Sequence, residues 1–135
     1  YKYSKIKNYV KHSREAITEM HRQTGSELMM ENNILKRGLI IRHLILPNDI
    51  AGSYDTLRFI SELDSNISLS VMSQYYPIHK ALTTDLLSRN IREREYMKVL
   101  DLLDEFSFEN GFLQEFESES YYRPDFKDRE EPFKR

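Results

Sequence analysis

From Asn8 to Thr24 apolar and polar positions alternate with a helical period. Tyr9, Ser13, Ala16, Ile17 and Met20 fall on one face and charged residues on the other. Asn8 is placed to cap the start of this helix and Gly25 to stop it. From Glu27 to Leu35 the pattern shortens to a hairpin-like excursion that turns at Glu31-Asn32-Asn33. Gly38 to Leu46 then reads as the strongest strand. Leu39, Ile40, Ile41, Leu44, Ile45 and Leu46 make it apolar on both faces, as in parallel strands covered on both sides. Pro47 ends it, because proline has no N–H for a sheet ladder. Asn48, Asp49, Ala51 and Gly52 form a loop to Ser53, a good N-cap for a helix from Tyr54 to about Leu63. Leu57, Ile60 and Leu63 are its inner face.

A second strand, from about Ile67 to Ser73, alternates Ile67, Leu69 and Val71 with Ser68, Ser70 and Met72. It ends in the aromatic loop Gln74-Tyr75-Tyr76-Pro77. The irregular stretch to Asn90 holds a short helix around Leu86. A long helix from about Glu93 to Phe108 turns Tyr96, Val99, Leu103 and Phe106 inward, and Gly111 stops it. Phe112 to Phe116 reads as a third strand, and the tail from Glu117 as extended. Helices and strands therefore alternate, which predicts an α/β protein with a parallel sheet and right-handed crossovers. Three main strands are too few to close a barrel, so the sheet should carry raw edges. No internal repeat, linker or low-complexity segment interrupts the 135 residues.

Composition changes this picture mainly by exclusion. A net charge of −2 with interspersed basic and acidic residues gives no nucleic-acid footprint. No apolar run reaches membrane-spanning length and no signal-peptide pattern is present, so the expectation is a soluble chain, with a cytoplasmic location. The chain has no cysteine, which excludes a disulfide, a zinc–thiolate site or a cysteine-held iron–sulfur cluster within these residues. His12 and His21 are nine residues apart on one helix, and His79 is isolated in a loop. Without an i,i+4 histidine pair, no metal site is expected. The first residue is Tyr1 rather than Met, which points to a cut or processed start.

Four passages carry a resemblance. They are Glu19-Met20-His21-Arg22-Gln23-Thr24-Gly25; Arg37-Gly38-Leu39-Ile40-Ile41-Arg42-His43-Leu44-Ile45-Leu46-Pro47-Asn48; Met72-Ser73-Gln74-Tyr75-Tyr76-Pro77; and Tyr122-Arg123-Pro124-Asp125-Phe126. In this order and spacing they resemble the later half of radical S-adenosylmethionine proteins of the pyruvate formate-lyase activating enzyme-like subgroup. The second passage is the most specific. The resemblance implies that residues 1–135 are the C-terminal part of a partial parallel barrel, a fragment of a TIM-like radical-SAM barrel. It also implies a longer parent whose CxxxCxxC loop holds a 4Fe–4S cluster. There the cluster would cleave S-adenosylmethionine to a 5′-deoxyadenosyl radical. The partner implied by analogy is a glycyl-radical enzyme, or another protein substrate. The cysteine loop is absent from this chain, so the fragment itself should be inactive, with no catalytic residue of its own.

Arg42 is the first candidate residue. Side chains alternate along a strand, so Ile40, Arg42, Leu44 and Leu46 share one face and His43 lies on the other. A charge inside an apolar strand is costly unless it meets an anion or another partner. Arg42 is either part of an internal salt bridge or, as the resemblance implies, a holder of the S-adenosylmethionine carboxylate. His43 reads as a satisfied histidine under a helix. Asn48, Asp49, Gln74, Tyr75 and Tyr76 gather at the carboxyl ends of two strands, the rim where barrel enzymes place their chemistry. Gln74 and Tyr75 are the cofactor-binding candidates there; turn chemistry accounts for Asn48 and Asp49. Asp101, Asp104, Glu105 and Glu109 fall on the solvent side of a helix.

Two classes of function follow. One is a radical-SAM enzyme fragment; the other is a standalone α/β interaction module without a cofactor. An opened barrel exposes strand edges, so self-association is expected of the fragment.

Overall fold

The computed structural model describes residues 5–116. Helix α1 (Tyr9–Thr24) comes first, then a hairpin of β1 (Met29–Glu31) and β2 (Ile34–Arg37). Strand β3 (Ile40–Leu44), helix α2 (Ser53–Asp64), strand β4 (Ser68–Met72), helix α3 (Glu93–Glu105) and strand β5 (Gly111–Leu113) follow. Short 3-10 turns lie at Pro47–Asp49 and His79–Thr83. The fold is α/β with two small sheets: the antiparallel hairpin, and a parallel sheet in the order β3-β4-β5. The tail from Glu117, expected to be extended, and the Tyr122–Phe126 passage fall outside the described residues.

The hairpin turns at Asn32-Asn33, both at positive φ (51° and 61°). Asparagine tolerates that conformation, and two such residues in a row match the twist of the flanking strands. In the parallel sheet, Ile40 pairs with Ser68, Arg42 with Ser70 and Leu44 with Met72. The period of two then sorts the faces. Leu69 and Val71 of β4 pack under Leu57 and Ile60 of α2 and under Tyr96, Val99 and Leu102 of α3. Leu57 and Ile60 are fully buried. This is the core, and it lies on one side of the sheet. On the opposite face stand Ile40, Arg42, Leu44, Ser70 and Phe112, with Arg42 and Phe112 exposed.

Several local expectations are corrected. Asn8 sits at φ 58° and makes no side-chain cap; its carbonyl instead accepts from the His12 N–H at 3.0 Å. The helix α1 buries none of its residues, and Tyr9 and Met20 are exposed. It meets the outer surface of α2, whose apolar stripe is already used against the sheet, so its contacts are polar. Arg14 donates to the Asp55 carbonyl at 3.0 Å and lies 4.9 Å from the Phe59 ring centroid. His21 lies 3.0 Å from Asp64.

At the start of α2 the cap is Gly52, not Ser53. Ser53 begins the helix with its side chain turned inward, and the Asp49 carboxylate accepts its N–H at 3.1 Å. The short helix expected near Leu86 lies earlier, at His79–Thr83. Helix α3 ends at Glu105, before Gly111, and Ser107 turns the chain at φ 58°. Gly111 instead opens β5 at φ +142°, where a Cβ would overlap the Leu69 carbonyl.

Candidate functional site

The carboxyl ends of β3 and β4, with the residues after β5, form one rim. The chain leaves β3 through Leu46 and the buried Pro47 and turns sharply at Asn48 and Asp49, both at positive φ (59° and 55°). Hydrogen bonds hold this turn to α3. The Asn48 N–H donates to Glu95 Oε1 at 2.7 Å, and its side-chain NH2 donates to the Leu86 carbonyl at 2.8 Å. Arg89 donates to Asn48 Oδ1 at 2.9 Å and to both oxygens of Glu95 at 2.8 Å. The Arg92 N–H adds a fourth bond to Glu95, at 2.7 Å. Arg89 above all, with these N–H groups, holds the Glu95 carboxyl down at about 2 against the opposing effect of burial. Every polar atom of the Asn48 side chain is thus used to build the rim.

Arg42 stands on the open face of the sheet. Its guanidinium reaches the Met72 sulfur at 3.0 Å, a weak acceptor, and meets no carboxylate among the described residues. His43, on the other face, is 6% exposed and has Nε2 2.9 Å from the Ser53 hydroxyl. Burial pushes its pKa down, with Asp49 pulling the other way. The two neighbours therefore live in opposite environments: a cation on the open face and a buried imidazole under α2.

The aromatic loop divides in the same way. Tyr75 packs against the helix-side core and donates its hydroxyl to the Leu87 carbonyl at 2.8 Å; burial raises its pKa. Gln74 bonds instead to the side chain of Gln114, 3.1 Å away. The arrangement thus brings Arg42 and Gln74 towards one rim and ties Tyr75 elsewhere. Gln114 is a residue that sequence patterns did not single out. Its one signal is position: it follows β5 directly, and the parallel register, continued by one residue, sets it beside Met72.

Among the described residues, no group of three or more His, Asp or Glu side chains stands together as a metal site would require. Among them also, no helix is long and apolar enough to cross a membrane. No family model, curated protein or solved structure matches this chain.

Proposed function

We propose that this chain forms the later strands of a radical S-adenosylmethionine α/β barrel of the pyruvate formate-lyase activating enzyme-like kind. Its own task would be to hold the carboxylate end of S-adenosylmethionine. The observation that carries this reading is Arg42: a guanidinium on the open face of a parallel sheet, with only a thioether for a partner among the described residues. Such a cation is free to make charge-assisted hydrogen bonds to an anionic ligand. The one-sided cover of the sheet by α2 and α3 is also what a segment of barrel wall would have.

The donor groups present fit a carboxylate. They do not include thiolates, so ligands for a 4Fe–4S cluster would lie outside these 135 residues. In the longer parent, the cluster would supply the electron that turns S-adenosylmethionine into a radical source. By analogy that radical would act on a glycyl-radical enzyme. Gene structure tests the reading directly. We expect an in-frame segment encoding CxxxCxxC upstream of Tyr1; a start codon immediately before Tyr1 would contradict it.

A second reading, an interaction module without cofactor, rests on the hairpin. Met29, Met30 and Ile34 are each more than half exposed there, and the strands project all their side chains to the surface. That start codon would favour this second reading.

A further inference from the structure

The polarity of the amide pair at the rim follows from one fixed donor. The Ser73 backbone N–H can only donate, so the Gln114 atom 3.2 Å away is its carbonyl oxygen, Oε1. Gln114 Nε2 is then left to donate, and it meets Gln74 Oε1 at 3.1 Å. Gln74 thereby uses its acceptor within the protein, and its NH2 group donates to no acceptor among the described residues. Two residues earlier, the Met72 sulfur receives the Arg42 guanidinium. Arginine carries five donors and no acceptor. The rim therefore offers donors from both Arg42 and Gln74.

We infer that Gln114 is a positioning residue that fixes the Gln74 amide with its NH2 outward, so that Gln74 and Arg42 together receive a carboxylate. This rests on the proposed role of Arg42 and adds two residues and a polarity to it. Gln114→Glu reverses that polarity with little change of shape. The new side chain still accepts from Ser73 but has no donor for Gln74. Gln74 must then turn its NH2 inward and present its oxygen to the ligand.

The test follows the Gln74 side-chain NH2 signal of the nitrogen-15-labelled chain by NMR. Three probes are titrated: acetate, S-adenosylmethionine, and 5′-methylthioadenosine, which lacks the carboxylate. Acetate and S-adenosylmethionine should both shift the Gln74 signal. Gln114→Glu should weaken both by roughly tenfold, the loss of one charge-assisted contact, and leave any binding of 5′-methylthioadenosine unchanged. Gln74→Leu removes the NH2 donor without adding a charge, so it should give the same loss; carboxylate binding kept in Gln74→Leu would trace the effect of Gln114→Glu to its added negative charge and overturn the inference. A wild-type Gln74 signal unmoved by acetate overturns the inference. So does equal weakening of all three probes, which would mark a merely structural role. A response to acetate without one to S-adenosylmethionine upholds the carboxylate site and removes the S-adenosylmethionine reading instead.

Discussion

The guanidinium of Arg89 grips both oxygens of the Glu95 carboxylate at 2.8 Å, and through Asn48 this pair fastens the turn after β3 to the start of α3. Neither side chain is much exposed (26% and 16%), so solvent screens the pair less than it would a surface ion pair. Glu95→Gln should therefore cost about 1–3 kcal/mol in urea unfolding at neutral pH. The pH dependence has a fixed sign. Glu95 is depressed from 4.5 to about 2, so its contribution is complete above pH 4.5 and is lost as pH falls towards about 2. The variant should lose less stability than the wild type across that window; identical acid profiles would show that the clamp contributes nothing.

His43 gives a second pH signature, in a different range. Its folded pKa lies below the ordinary 6.5, so the unfolded chain binds a proton that the native state resists. Stability from this residue is present above pH 6.5 and declines as pH falls below it. His43→Gln should flatten the dependence between about pH 7 and pH 5 and change stability more than ligand binding. Thermal melts at three pH values check it; an unchanged slope would contradict the buried, neutral histidine.

Gly111→Ala puts a Cβ against the Leu69 backbone at a φ of +142°. The strain should cost about 1–3 kcal/mol and loosen β5, and with it Gln114. Hydrogen exchange at the β4–β5 ladder is the readout. Protection equal to wild type there would mean that β5 does not need the glycine.

The faces of the parallel strands were legible because alternation is a local property: it separated Arg42 from His43 correctly. The inner faces of α2 and α3 were legible for the same reason, from Leu57 and Ile60 and from Tyr96 and Val99. The orientation of α1 was not. Its apolar face was legible, but where that face would lie was not: the helix sits on the polar outside of α2, which only the tertiary arrangement decides. The cap of α2 was misplaced by one residue because Gly52 takes the left-handed turn and frees Ser53 to bond His43. Gln114 depends on the register between β4 and β5, which is set by pairing across 42 residues and leaves no mark in either strand alone.

Among the described residues, strands β3 and β5 are the edges of the parallel sheet, and Phe112 is 61% exposed on its open face. Edges and apolar side chains of this kind promote pairing between copies. Light scattering at micromolar concentration should give a mass above that of the monomer, and Phe112→Lys should lower it. A monomer with cooperative unfolding would count against the view of this sheet as part of an opened barrel.

The proposed hold of Arg42 on a carboxylate is measured by calorimetric titration of S-adenosylmethionine into Arg42→Lys and the wild type. Lysine keeps the charge but cannot reproduce the two-pronged contact of a guanidinium. Losing a charge-assisted contact of about 1.5–3 kcal/mol predicts roughly ten- to a hundredfold weaker binding. His43→Gln, altered on the opposite face of the same strand, should bind as the wild type does. Equal affinity in Arg42→Lys and the wild type would remove the proposed role of Arg42.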